Sequence, residues 1–148
     1  MSKWVSTKTY AHSEGLSCAF RQWRASSHCN LIHGYALQVE LVFEADSLDD
    51  RNWVQDFGGL KEIKTWLHDN FDHTLCVAED DPMLNQLLNL QHLNLADVRV
   101  LPAVGCEKFS EYIFNYVDDY VFTQSNGRVR VRSVEVREHG GNSARFER

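Results

Sequence analysis

The stretch SHCNLIHGYALQVELVF, residues 27–43, joins two reactive side chains to a clear strand pattern. Its second half alternates apolar with polar residues, and the apolar set on one side is Leu37, Val39, Leu41 and Phe43. Such alternation is typical of a half-buried antiparallel strand. Cys29 and His33 come just before the alternation, so a thiol and an imidazole stand at the start of this strand.

On either side of this strand the sequence predicts the other elements of a small sheet with helices. GLSCAF (15–20) predicts a partner strand, and VQDF (54–57) predicts a short extended segment. Apolar residues recur near the helical period in residues 60–71 and 106–121, which predicts two amphipathic helices. Residues 82–97 are rich in Leu and Asn and predict a loop with one helical turn.

The chain then continues with a turn and a final strand. SNG (125–127) predicts the turn, and the alternating RVRVRSVEVRE (128–138) predicts the strand. The alternation slips at Ser133–Val134, where a bulge would restore the phase. Because strands and helices are segregated along the chain, the sequence predicts an α+β fold with helices on one face of an antiparallel sheet.

Length and composition limit the classes of protein to which the chain can belong. Its 148 residues, 43% hydrophobic and 24% charged, suit one soluble globular domain over residues 1–148. No apolar run reaches 18 residues and no signal-peptide core is visible, so we expect neither a membrane partner nor export. The net charge of −6 argues against nucleic acid as a partner, although 127–137 is locally basic. Four cysteines without a CxxC pair favour reduced thiols in the cytoplasm.

Three positions carry side chains that could do chemistry, and each also has an ordinary structural interpretation. Cys29 could act as a thiolate, but a lone cysteine is most often a small buried apolar residue. Asp72 and His73 are adjacent and could relay protons, or they could be a solvated pair at the end of a helix. Glu138, near the end of a predicted strand, would by itself be taken as exposed.

Five motifs follow one another along the chain, and their order is informative. They are CNLIHGY (29–35), VQDFGGLK (54–61), FDHTL (71–75), LPAVGCEKF (101–109) and VEVRE (134–138). Over roughly residues 15–146 this series resembles the 6-pyruvoyltetrahydropterin synthase and 6-carboxytetrahydropterin synthase family. CNLIHGY is similar to the family's CxxxHGH, with the spacing seen in bacterial queuosine-pathway enzymes.

The resemblance implies a role for each matching side chain. Cys29 takes the position of the catalytic thiol, a base at the substrate's side chain, and Asp72 with His73 takes that of the second acid/base. Glu138 takes the position of the carboxylate that grips the pterin's amino-pyrimidine edge, a charge-assisted bidentate contact. Glu107 takes that of a secondary contact to the pterin ring.

The sequence departs from the family at the metal position. Family members hold zinc with three histidines, and of these only His33 is present, because Phe20 and Tyr35 occupy the other two positions. A phenyl ring cannot ligate, and a tyrosine must first lose a proton with a pKa near 10. Cys18 and His28 are close in sequence and are possible substitutes. Zinc is therefore a possible cofactor, with His33 as its one family-type ligand.

The resemblance also implies a fold, an assembly and an activity. The fold is the tunnelling fold, a four-stranded antiparallel sheet with two helices on one face, assembled into trimeric barrels that pair as hexamers. The active site then forms between subunits, so Glu107 or Glu138 could complete a neighbour's pocket. The implied activity is a carbon–carbon or carbon–oxygen lyase acting on 7,8-dihydroneopterin triphosphate, in the queuosine or a related pterin pathway.

Two alternatives to this activity remain open. The protein could be a divergent paralogue that acts on a related pterin without metal or with a different one. It could also be a non-catalytic module that only binds pterin. In the non-catalytic case Glu138 would matter for ligand binding, and Cys29→Ala would change nothing measurable. Trp23 and Trp53 are expected to serve core or subunit packing rather than ring stacking.

Overall fold

The structure is a computed structural model that describes residues 2–148. The described chain forms seven strands and three α-helices, interrupted by short 3-10 turns. In chain order they are β1 (Trp4–Tyr10), β2 (Leu16–Phe20), β3 (His33–Ala45), α1 (Lys61–Phe71), β4 (Thr74–Ala78), α2 (Leu84–His92), β5 (Val98–Leu101), α3 (Cys106–Gln124), β6 (Arg130–His139) and β7 (Asn142–Glu147).

All seven strands belong to one sheet, in the order β5-β4-β2-β3-β6-β7 with β1 also paired to β3. The 13-residue β3 is long enough for two partners on one side: β2 pairs antiparallel with its first half and β1 with its second half. The strands predicted from GLSCAF and LQVELVF are therefore confirmed as an antiparallel pair. Their shared face is completely buried at Leu16, Leu37, Val39 and Leu41.

The prediction of a four-stranded antiparallel sheet is wrong in number and in direction. β4 runs parallel to β2, and β5 runs parallel to β4, so the sheet is mixed. These short strands, TLCVA and VRVL, show no alternation that would have distinguished them from helix ends or loops. The exposed outer strands β1 and β7 were missed because their sequences are largely polar.

The helices lie on both faces of the sheet, not on one. α1 and α3 contribute Ile63, Leu67, Phe109 and Ile113 to the main core, all completely buried. α2 covers the opposite face, where Leu87 packs with Leu75, Val77 and Val98 in a second cluster. Residues 82–97 thus contain a nine-residue helix, α2, where a single helical turn was predicted.

Two local predictions have different outcomes. The bulge in β6 is confirmed one residue before its predicted position: Val42 pairs with Ser133 but Phe43 pairs with Val131, which leaves Arg132 as the extra residue. The prediction of an extended segment at residues 54–57 is wrong, because Phe57 begins a 3-10 turn. Asp56 caps this turn by accepting the Gly58 N–H at 2.9 Å.

No helix in residues 2–148 is long and apolar enough to cross a membrane.

Candidate active site

Cys29 lies on a short 3-10 turn in the connection between β2 and β3. The Ser27 hydroxyl accepts a hydrogen bond from the Cys29 N–H at 3.3 Å, and the Cys29 carbonyl accepts one from the Gln22 N–H at 2.9 Å. Its thiol is free and its side chain is half-buried, whereas Cys18, Cys76 and Cys106 are buried. Cys29 is therefore the most accessible thiol of the chain.

The segment RQWR (21–24) fixes this connection to the turn before α2. Arg21 donates to both carboxylate oxygens of Asp81, at 2.8 and 2.7 Å, and also to the Asn30 carbonyl at 3.2 Å. The Asp81 side chain is 1% exposed, so Arg21 supplies the charge partner that a buried carboxylate requires. Trp23 donates to Asp80 at 3.2 Å, which gives this ring a polar contact beside its predicted packing role.

The three side chains at the family's metal position meet in space, but as packed rings. Phe20 lies opposite His33 in the β2–β3 register, and their ring centroids are 5.7 Å apart. Tyr35 is 5.5 Å from His33 and 6.3 Å from Phe20. Phe20 also packs edge-on against Phe109 of α3 at 5.1 Å, which ties this cluster to the core.

This cluster does not fit a three-histidine zinc site. Phe20 has no donor atom, and burial together with the nearby charge of Glu138 raises the pKa of the Tyr35 hydroxyl, which keeps it protonated. His33 Nδ1 lies 2.7 Å from the Leu31 carbonyl and donates to it, so Nε2 of this one histidine is the only imidazole nitrogen that the three rings leave free for a metal. Within residues 2–148 no group of three or more His, Cys, Asp and Glu side chains is arranged to hold a metal ion.

Glu107 and Glu138 line one cavity of about 370 Å³ beside this cluster. Glu107 lies in the first turn of α3, and Glu138 lies near the end of β6. The rest of the lining comes from Cys106, Gly141, Asn142 and Ser143. Burial, followed by the charges of Glu138 and Glu107, raises the pKa of the Cys106 thiol to about 12, so this thiol stays neutral.

Gln22 connects the Cys29 turn to the segment before α3, because its N–H donates to the Cys29 carbonyl at 2.9 Å and its side-chain amide donates to the Val104 carbonyl at 3.0 Å. Burial and then the charge of Glu138 raise the pKa of the Tyr35 hydroxyl. His139 packs against the same ring, with centroids 6.1 Å apart. Tyr35 was singled out in the sequence only at a metal-ligand position, and nothing there marked it as a ring that packs against the end of β6.

Asp72 and His73 form a hydrogen-bonded pair at the end of α1. Asp72 caps the helix, and one of its carboxylate oxygens lies 2.5 Å from His73 Nδ1. His73 adopts a left-handed backbone conformation with φ 57°, which its N–H hydrogen bond to the Ser17 carbonyl at 2.6 Å supports. Its side chain is 89% exposed, so the ring edge opposite Asp72 faces outward.

The acid/base pair and the carboxylate cavity lie apart within one chain. His73 lines a separate groove of about 300 Å³ on the α2 side of the sheet, together with Ala19, Ile32, Leu75, Leu90 and Leu95. Glu107 and Glu138 line the other cavity, next to Cys106 on the side of the main core. The structure therefore separates the two carboxylates of the cavity from the His73 groove.

A mixed sheet that carries a thiol, two carboxylates and a carboxylate–imidazole pair defines a candidate enzyme of the acid–base class. The sequence model of the family described as 6-pyruvoyl tetrahydropterin synthase matches residues 9–148. The chain belongs to this family.

Curated relatives match in shorter segments. The 6-carboxy-5,6,7,8-tetrahydropterin synthase of Rickettsia felis is 36% identical over 59 residues, which are 39% of this chain and 43% of that protein. The protein of the same name from Aquifex aeolicus is 21% identical over 117 residues, 77% of this chain and 69% of that protein. The chain therefore spans less than half the length of the Rickettsia felis protein that it matches.

Solved structures share the fold across the whole chain. An uncharacterized protein from Wolinella succinogenes superposes with a TM-score of 0.80 and 18% identity, covering 99% of this chain and 97% of that one. The 6-pyruvoyl tetrahydropterin synthase of Plasmodium falciparum superposes with a TM-score of 0.65 and 17% identity, covering 100% and 99%. At these identities the likeness shows the fold alone.

Proposed function

We propose that this protein is a pterin-converting lyase of the 6-carboxytetrahydropterin synthase type, acting on 7,8-dihydroneopterin triphosphate. One observation carries the proposal: Glu107 and Glu138 line one cavity at the start of α3, Gln22 holds the Cys29 turn to the segment before that helix, and Asp72 forms a hydrogen-bonded pair with His73. Family membership and relatives named for this reaction support it. Its place in the queuosine or a related pterin pathway is part of the same proposal.

The cavity beside Tyr35 would take the pterin ring. Glu138 presents an anionic carboxylate, which can accept two parallel N–H donors from an amino-pyrimidine edge. Glu107 lies across the same cavity and adds a second acceptor. Tyr35 stays a neutral hydroxyl and can stack on or donate to a bound ring without adding charge.

Proton transfer would be divided between the thiol and the imidazole. Cys29 would remove a proton from the substrate's side chain, and His73, held by Asp72, would exchange the second proton as phosphate or a two-carbon fragment leaves. Because the His73 groove and the Tyr35 cavity are separate within one chain, we propose that a second protomer supplies His73, in a trimer or hexamer. The four free thiols support the predicted cytoplasmic location.

A second candidate function is a metal-independent or non-catalytic pterin-binding paralogue. The observation that favours it is the packing of Phe20, His33 and Tyr35 as rings where the family places zinc. A bound zinc ion would polarise the substrate, and loss of this contribution slows such reactions strongly. In both candidate functions Glu138 binds the pterin, so they differ only in whether Cys29 and His73 convert the bound pterin to a product.

The test is product analysis with dihydroneopterin triphosphate, with and without added zinc, for the wild type and for Cys29→Ala and His73→Gln. The lyase proposal expects a new pterin product from the wild type, and a rate lower by about 10²- to 10⁴-fold in both variants. The matched control is His92→Gln, an exposed histidine at the end of α2, which should keep the wild-type rate.

Calorimetric titration with the same pterin separates the two candidates. The non-catalytic module predicts no product, binding that Glu138→Gln abolishes, and binding unchanged in Cys29→Ala. If the protein neither forms a product nor binds the pterin, both candidate functions are contradicted.

A further inference from the structure

Three ionisable side chains continue the Asp72–His73 pair across the surface of the molecule. The second oxygen of Asp72 lies 2.9 Å from His68 Nδ1, one helical turn earlier in α1. The other ring nitrogen of His68, Nε2, lies 3.0 Å from a carboxylate oxygen of Glu14. Lys64 closes the series with its ammonium 3.1 Å from the same oxygen. We call Lys64, Glu14, His68, Asp72 and His73 the charged network.

The geometry of the charged network determines the charge of His68. A neutral imidazole carries a single N–H and can donate to only one neighbour. Both ring nitrogens of His68 face carboxylate oxygens, so only the protonated ring satisfies both contacts. The hydrogen bonds with Asp72 and then Glu14 raise the pKa of His68, which is consistent with this geometry.

The two carboxylates respond in the opposite direction. Hydrogen bonds from His68 and then His73 hold the pKa of Asp72 below its ordinary value, and those from His68 and then Lys64 do the same for Glu14. The charged network therefore alternates in sign from Lys64 to Asp72. Tyr10, the other titratable group beside Glu14, stays neutral because burial raises its pKa to about 12.

This alternation of charge weakens the electrostatic effect of the Asp72 carboxylate on the His73 ring. A carboxylate next to an imidazole fixes its tautomer and also attracts a proton onto it. If Asp72 were otherwise unpaired, its full charge would favour the protonated form of His73 and leave a poor base. His68 shares that charge from the opposite side and fixes the second carboxylate oxygen, so that the first oxygen remains directed at His73 Nδ1.

We propose that His68, held by Glu14, is a positioning residue that orients Asp72 and offsets its charge toward His73. Its use in the reaction rests on the proposed function, in which His73 exchanges the substrate's proton. His68 itself does not touch His73. The arrangement depends on a histidine four residues before Asp72 and on a glutamate from the turn after β1, so it is a property of these particular side chains.

The decisive experiment is an NMR titration of the ring signals of His73 in the full-length protein. In His68→Gln, which keeps a hydrogen-bond donor but removes the positive charge, we expect the midpoint of the His73 titration to move to higher pH by about half a unit or more. His68→Lys, which restores a positive charge within reach of Asp72, should return the midpoint toward that of the wild type. His92→Gln is the matched control and should leave it unchanged.

An unchanged His73 midpoint in His68→Gln, with the other ring signals of a folded protein intact, would overturn the proposal. Glu14→Gln provides an independent check, because loss of one of its two carboxylate partners should move the titration midpoint of His68 to lower pH. These readouts need no turnover, so failure of the proposed lyase reaction leaves them interpretable. Where turnover is measured, the acidic limb of kcat/KM should move to higher pH in His68→Gln together with the His73 midpoint.

Discussion

The start of β3 and the end of α1 use their polar side chains in opposite ways. At the start of β3, His33 and Tyr35 pack as rings against Phe20, and this cluster continues into the core through Phe109. At the end of α1, His68 and Asp72 form ionic hydrogen bonds that extend to Glu14 and His73. The first region has the position that the resemblance assigns to zinc, with His33 as the one matching ligand, and the second has a hydrogen-bonded carboxylate–imidazole pair.

The difference teaches that rings of similar volume can fill a position with or without groups that bind a metal. A phenyl ring has about the volume of an imidazole, so Phe20 can fill its place in the core without offering a donor atom. An ion pair such as Asp72–His73 gives little stability on a surface, so its stability alone does not explain why it is present. We therefore expect changes in the first region to affect mainly metal binding and stability, and changes in the second to affect mainly proton transfer.

Restoring imidazoles at the first region should produce the largest effect. The ring centroids of Phe20, His33 and Tyr35 lie 5.5 to 6.3 Å apart, near what three imidazoles around one zinc at about 2.1 Å require. The double variant Phe20→His with Tyr35→His should therefore retain about one zinc per chain after dialysis, measured by elemental analysis. Each single variant is the matched control, since it offers only two imidazoles. A double variant that still takes up no zinc would contradict this view of the cluster.

Removing the ring of Phe20 tests the packing role directly. Phe20 is 1% exposed and contacts Phe109, so Phe20→Ala should lower the free energy of unfolding by about 3 to 5 kcal/mol, measured by urea denaturation. Phe57, which is 41% exposed, is the matched control, and Phe57→Ala should cost about 0.5 kcal/mol. Similar losses in both variants would show that the cluster around Phe20 is not a packed part of the core.

The charged network should give the smallest effect, and one that depends on pH. The pKa values of Asp72 and Glu14 lie below their ordinary 3.8 and 4.5, so their stabilisation is present above about pH 4.5 and is lost as the pH falls through the lowered values. The pKa of His68 lies above its ordinary 6.5, so its stabilisation is present below about pH 6.5 and is lost as the pH rises through the raised value.

The two limits together define a window between about pH 4.5 and pH 6.5. Within it, His68→Gln should be less stable than the wild type by about 0.5 to 1 kcal/mol, because the groups are partly exposed and solvent screens them. The difference should shrink at about pH 9 and at about pH 3, measured by urea denaturation at each pH. A difference that stays constant over this range would mean that His68 stabilises the protein by packing and not by charge.

The sequence predicted the elements whose periodicity is clear. The alternation from Leu37 to Phe43 and the apolar spacing in residues 106–121 identified β3 and α3, because a half-buried element must repeat its apolar residues with its own period. β4, buried on both faces, and the polar outer strands β1 and β7 lack such a period, and they were missed for that reason. The Leu-rich α2 was underestimated although Leu84, Leu87 and Leu88 recur at helical spacing on its packed side.

The residues of the candidate site divide in the same way. The sequence by itself determined which side chains are present: a thiol at Cys29, the adjacent pair Asp72–His73, the carboxylates Glu107 and Glu138, and rings without imidazole nitrogens at Phe20 and Tyr35. These side chains can be identified without a structure, because each motif consists of residues that are close together in the sequence.

Only the tertiary structure decided which of these groups share a surface. It gathered Glu107 and Glu138 at one cavity, placed His73 in a groove beyond the sheet, and joined His68 to Glu14, 54 positions away in the sequence. The physical reason is that strand register and the face of each element set the distances between remote side chains. These distances then set the charges on which an acid–base site depends.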